Sequence, residues 1–233
     1  AAGAVEESEL VALAERWFAG APTAAPPPRP PPPVFAGGVK ALARPLEQAH
    51  LVMLLPGVGV DDPDHYAFRL FAEILGGGMS SRLFQAVRER LGLVYAIDAY
   101  LEAHADAGVL GVYAGAAAHN AARAAGVAAR ELKALCQSVQ DAELARAKAQ
   151  LKGSLFMVRE SAAARAEQAA GQLLVYGRLI PTAETAAAID VVSPADIVRA
   201  GERALALGRS VCALLGPKSA LAAAEAFHAG LFA

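Results

Sequence analysis

The sequence predicts an α+β domain, an antiparallel-rich sheet covered by helices, and three observations carry that prediction. The apolar run His50-Leu51-Val52-Met53-Leu54-Leu55 stops at Pro56-Gly57 and reads as a buried strand. Residues 93–101 and 108–116 flank the turn-like His104-Ala105-Asp106-Ala107, which predicts an antiparallel hairpin. Most of the remaining chain has helical spacing, until 209–215 reads as a last strand closed by Gly216-Pro217. The expected order is strand, two helices, two strands, several helices, strand. Elements grouped in this way, rather than alternating, place helices over an antiparallel sheet.

Composition narrows the classes. At 233 residues the chain is long enough for a sizeable core. Hydrophobic residues make up 55%, but much of that is alanine, a strong helix former that favours closely packed helices. The densest apolar stretch, 107–118, is broken by three glycines and is too short to span a bilayer, so no membrane span is expected. A net charge of −2 supplies no basic patch and argues against nucleic acid as a partner. Cys136 and Cys212 have no metal-ligand spacing and are expected as buried free thiols.

In chain order, Leu10, Leu13, Ala14 and Trp17 mark one amphipathic helix over 6–18 with an acidic first turn. A lone helix of that length must dock on something else to bury its face. Eight of the 14 prolines then crowd into 22–33, predicting a stiff polyproline spacer between two units. Pro28 to Pro31 also fits P-x-x-P, although linker use is the base case. The spacer is assigned to 21–39 and the main domain to 40–233. The sequence starts without a methionine or a signal-like stretch, so it is expected to be a piece of a longer chain.

Asp62 as N-cap and Pro63 at the first helical position predict a helix over 63–75; capping outweighs a metal role for the Asp61-Asp62-Pro63-Asp64 cluster. Gly76, Gly77 and Gly78 are expected to end it through left-handed backbone. Ser80 or Ser81 caps the next helix, with Leu83, Phe84, Val87 and Leu91 as its core stripe and Gly92 as its stop. Helices are expected from His119-Asn120 to 136, from Asp141 onwards, over 162–176 and over 182–189. Ser193-Pro194-Ala195-Asp196 is a capping box with proline at N1, and the tail from Ser219 reads as helix.

No Gly-x-Ser-x-Gly elbow occurs, and Met79 rather than Lys follows the three glycines, which rules against a phosphate loop. The five histidines form neither His-x-x-x-His nor His-x-x-Glu, and the His104-Asp106 turn reads as solvated rather than ligating. Arg88 stands out, because it lies at the edge of the core stripe near a helix end, where its stem lies on apolar surface and its fork projects. Tyr95 follows seven residues later. A guanidinium and a phenol suit a peptide carbonyl or a tetrahedral oxyanion. The competing reading is a structural Arg–carboxylate pair beside a core tyrosine.

The run Leu75-Gly76-Gly77-Gly78-Met79-Ser80-Ser81-Arg82-Leu83-Phe84-Gln85-Ala86-Val87-Arg88-Glu89-Arg90-Leu91-Gly92-Leu93-Val94-Tyr95 closely resembles the second domain of the pitrilysin or insulinase-type zinc metallopeptidases, which include the processing peptidases. The resemblance implies their metallohydrolase-like fold, with two related domains joined by a linker around a cavity. It implies that zinc sits on the first domain and that Arg88 and Tyr95 bind peptide substrate, with Gly76, Gly77 and Gly78 shaping the approach. Residues 1–20 then correspond to the tail of a mostly missing first domain. The implied partner is a zinc-bearing N-terminal domain or a homologous subunit. The expected function is the substrate-binding half of a zinc endopeptidase acting on peptides or unfolded polypeptides, with zinc in the complete enzyme and no metal or catalytic residue in this chain, which alone should be inactive. The alternative is a non-catalytic assembly subunit of the same family. Family members in bacteria point to the periplasm, and the cytoplasm stays open.

Overall fold

In the computed structural model the described residues are 1–22 and 31–233. Most of the proline run and of the P-x-x-P stretch lies outside them. Five strands form one sheet in the order β1-β5-β2-β4-β3. These are β1 (Gly38–Ala43), β2 (Gln48–Gly57), β3 (Val94–Ala103), β4 (Gly108–Ala117) and β5 (Val211–Gly216). The hairpin β3–β4 and the pairs β2–β4 and β2–β5 are antiparallel, whereas β1 runs parallel to β5. Edge strand β1 escapes sequence reasoning because Gly38-Val39-Lys40-Ala41-Leu42-Ala43 is short, weakly patterned and exposed throughout. It begins inside the stretch assigned to the spacer.

Alternation on the central strands decides which side is the core. Ala49, Leu51, Met53 and Leu55 of β2 and Leu110, Val112, Ala114 and Ala116 of β4 are buried, and the residues between them on β2 are only half-buried. Helices cover the first face: α2 (His65–Gly76) with Phe68, Phe71 and Leu75, α3 (Ala121–Gln137) with Leu132 and Leu135, α7 (Pro194–Leu205) with Ile197, and α8 (Ala226–Phe232) with Phe227. Small residues let these helices approach one another. A Cβ on Gly201 of α7 would lie 2.6 Å from Cys136 Sγ, and one on Gly230 of α8 would lie 2.7 Å from Ala129 Cβ. The alanine content therefore serves close helix packing.

Both cysteines are buried and free. Burial pushes the Cys136 thiol up to about 12 and that of Cys212 up to about 11. Ellman's reagent at pH 8 is accordingly expected to find almost no reactive thiol in the native chain and two after denaturation.

The Asp61–Asp64 cluster differs from its predicted role. Helix α2 starts at His65 rather than Pro63, and Asp62 Oδ1 instead accepts from the Asp64 backbone N–H at 2.8 Å. Its carboxylates face two arginines of α7. Arg199 Nη2 lies 2.6 Å from Asp64 Oδ1, and Arg203 reaches Asp62 at 2.9 Å and Asp64 at 2.5 Å. Hydrogen bonds from the arginines hold both carboxyls below the usual range. The Ser193 hydroxyl and backbone N–H lower Asp196 to about 2. Carboxyls depressed in the folded state stabilise above the unfolded value of about 4, and that stability is lost as pH falls through the folded values. Stability is thus expected to drop between roughly pH 4 and pH 2. Asp64→Asn should cost about 1 kcal/mol at pH 7 in urea unfolding and should flatten that drop.

The other helices are α1 (Glu7–Phe18), α4 (Asp141–Met157), α5 (Ala162–Tyr176) and α6 (Thr182–Asp190). Helices α1 and α5 bury no residue, and Trp17, Phe18, Leu173 and Leu174 stand exposed. Among the described residues no helix is long and apolar enough to cross a membrane.

Candidate functional site

The site begins where α2 ends against β3. None of Gly76, Gly77 and Gly78 has a positive φ, contrary to the left-handed termination expected from sequence. What the turn demands there is space. A Cβ on Gly76 would lie 2.3 Å from the Ala99 backbone nitrogen, one on Gly77 would lie 2.4 Å from the Glu73 carboxylate, and one on Gly78 would lie 2.9 Å from Gln150 Nε2. Glycine lets the helix end lie directly on β3 and under α4.

Two polar ties then hold the turn. The Arg82 guanidinium grips Glu143 of α4 at 2.7 and 2.8 Å and donates to the Ser138 carbonyl at 2.9 Å. Gln150 Nε2 donates to the Gly77 carbonyl at 3.0 Å. Glu73 lies beneath, with Oε1 buried and unpartnered among the described residues; burial raises its pKa. These ties join residues 56 to 73 positions apart, so sequence spacing gives no sign of them.

The segment Phe84–Arg90 is a π-helix. Its wider turn shifts the buried set from the predicted stripe. Leu83, Ala86 and Val87 are buried and Phe84 is half-buried, but Leu91 is 41% exposed. Arg88 faces solvent, and its guanidinium carbon lies 4.8 Å from the Phe84 ring centroid. It joins no ion pair among the described residues.

Gly92, at φ +59°, turns the chain. The N–H groups of Gly92 and Leu93 donate back to the carbonyls of Arg88 and Val87 at 3.1 and 2.9 Å. Strand β3 therefore starts against the last turn of the π-helix. Val94 pairs with Ala116, but the next pair is Ala96 with Gly115, which leaves Tyr95 as the extra residue of a β-bulge. The bulge breaks the alternation, so Tyr95 and Ala96 are both exposed, Tyr95 at 60%. Two backbone irregularities, a π-helix and a bulge, thus turn Arg88 and Tyr95 outward from one corner. Neither is engaged as the structural ion pair beside a core tyrosine requires.

The architecture is a five-stranded sheet with helices packed on one face, and at one end of β3 an arginine and a tyrosine are exposed. Residues 1–151 match the family model described as the peptidase M16 inactive domain. The chain belongs to the M16 family, the pitrilysin or insulinase-type zinc metallopeptidases, as its inactive, C-terminal domain. It is 32% identical over 94% of its length to an uncharacterised zinc protease of Rickettsia bellii, covering 53% of that protein. It is 35% identical over 78% of its length to one of Streptomyces coelicolor, covering 40%. The chain thus spans about half the length of the curated relatives it matches. Its fold is shared by an M16 inactive domain of Pseudomonas fluorescens (TM-score 0.73, 22% identity, 92% of this chain and 52% of that one). A chain of complex III from Candida albicans shares it as well (TM-score 0.80, 22% identity, 97% and 56%).

Family membership implies zinc in the complete enzyme. Zinc takes three or four His, Cys, Asp or Glu ligands at one point. Among the described residues no group of three such side chains is suitably placed. The described residues thus do not form a zinc site by themselves.

Proposed function

We propose that this chain is the substrate-binding half of a zinc endopeptidase acting on peptides or unfolded polypeptides. In this reading zinc and the general base come from an N-terminal domain or a homologous partner subunit. The observation that carries the reading is the corner itself. Two residues of matching chemistry stand exposed, in no ion pair among the described residues, where a π-helix and a bulge interrupt the regular backbone. Arg88 supplies a rigid fork of donors for a main-chain carbonyl, and Tyr95 adds a hydroxyl that donates to the same carbonyl or its neighbour. As the carbonyl oxygen gains charge in the transition state, both hydrogen bonds strengthen. Gly76, Gly77 and Gly78 shape the approach by letting the end of α2 lie directly on β3, the strand that carries Tyr95.

Fluorescence anisotropy with a labelled, unstructured peptide tests the binding role. Binding to this chain is expected to weaken about tenfold in Arg88→Ala and a few-fold in Tyr95→Phe. Equal affinity in all three proteins would remove the role. The second reading, a non-catalytic assembly subunit, draws on the exposed apolar residues Phe156 and Met157 of α4, Leu173 and Leu174 of α5, and Leu179 in the loop after it. A stable complex with a partner chain and no peptide binding would favour it.

A further inference from the structure

The uncovered face of the sheet carries a polar pair that neither the family match nor the corner accounts for. His50 of β2 and Tyr113 of β4 are both half-buried there, with His50 Nδ1 2.8 Å from the Tyr113 hydroxyl and the rings stacked at 6.2 Å. Glycine makes the contact possible. A Cβ on Gly115 would lie 3.2 Å from the Tyr113 hydroxyl, so a side chain there would push the hydroxyl aside by a few tenths of an ångström. Tyr100 lies over Gly111 in the same manner, with its ring 2.4 Å from where a Cβ would be. The result is a floor of aromatic rings over glycines, with the imidazole nearly parallel to the Tyr113 ring. His50 Nε2 has no partner among the described residues.

Register connects this pair to the corner. Ala96, beside the bulged Tyr95, is opposite Gly115, and Gly115 is opposite His50. His50 therefore lies two strands from Ala96 on the same face, about 10 Å away at the usual strand spacing. An extended peptide advances about 3.3 Å per residue and covers that distance in about three residues.

Building on the peptide-binding role proposed above, we infer that His50, held by Tyr113, is a positioning residue for the main chain of a bound extended peptide. The Tyr113 hydroxyl donates to Nδ1, which leaves the imidazole proton on Nε2, facing outward. Nε2–H donates to a peptide carbonyl about three residues from the one held beside Tyr95. A main-chain contact of this kind fits unfolded polypeptides of varied sequence, because every residue offers the carbonyl.

The test is an ester scan. In a ten-residue unstructured peptide each amide is replaced in turn by an ester, whose carbonyl accepts more weakly, and binding to the chain is followed by anisotropy. Two sensitive positions about three residues apart are expected, each weakening binding about fivefold. The penalty at one should vanish in Arg88→Ala, and that at the other in both His50→Ala and Tyr113→Phe, with thermal unfolding confirming that each variant is folded. Penalties that persist in His50→Ala and Tyr113→Phe while one vanishes in Arg88→Ala would overturn this inference and leave the corner's role standing. If the scan and Arg88→Ala both leave affinity unchanged, the proposed role of the corner fails first.

Discussion

Replacing Arg88 by alanine is expected to lower kcat/KM about 100-fold in an enzyme reassembled with a zinc-bearing half, with little loss of stability. Both parts follow from the geometry. Arg88 faces solvent, joins no ion pair among the described residues and lies only over the Phe84 ring, so its removal leaves no buried group without a partner. Its fork is nevertheless presented from a π-helix whose last turn is tied by two backbone hydrogen bonds to Gly92 and Leu93, just before β3, which fixes the backbone that carries it. Loss of one preorganised donor to a developing oxyanion typically costs about two to three orders of magnitude. Tyr95→Phe removes only a hydroxyl and should cost about tenfold. Urea unfolding of both variants should stay within about 1 kcal/mol of wild type.

Gly76→Ala should behave in the opposite way, as a stability variant. Gly76 is buried, and a methyl there would meet the backbone nitrogen of Ala99 at 2.3 Å and its Cβ at 2.7 Å. The obstacle is the backbone of a strand in the middle of its ladder, not the end of a flexible side chain, so α2 and β3 have to separate. Overpacking of this kind costs about 3 kcal/mol, or roughly 9 °C in Tm for a domain of this size. Gly78→Ala meets only the end of Gln150 at 2.9 Å and should cost much less. Thermal unfolding of the two variants side by side checks the difference. If Gly76→Ala melts with wild type, the close approach of α2 to β3 is wrong.

The contrast between those two glycines shows what sequence makes legible. A run of three glycines announces a break but gives no reason for it. Left-handed backbone was the natural local explanation, and the actual reason, contact with Ala99, Glu73 and Gln150, is long-range. The hairpin, the buried strand β2 and the capping box at Ser193 were legible because alternation and capping are local patterns. Strand β1 was not, since a short exposed edge has little pattern to show. The stripe that included Leu91 failed because a π-helix turns by a different angle per residue, which no 3.6-residue template anticipates. For the corner, motif spacing singled out Arg88 and Tyr95. The bulge that exposes Tyr95 and the His50–Tyr113 pair both depend on strand register, which only the folded sheet displays.

The central claim is that this chain holds the peptide while the zinc chemistry resides elsewhere, and reconstitution tests it most directly. The chain is mixed with the zinc-bearing half of an M16 zinc protease, and cleavage of an unfolded fluorogenic peptide is followed with wild type and with the Arg88→Ala, Tyr95→Phe double variant. Cleavage is expected only in the mixture, and the double variant should slow it at least 100-fold while still binding the zinc-bearing half. Cleavage by the isolated chain, or a double variant as fast as wild type in the mixture, would contradict the account.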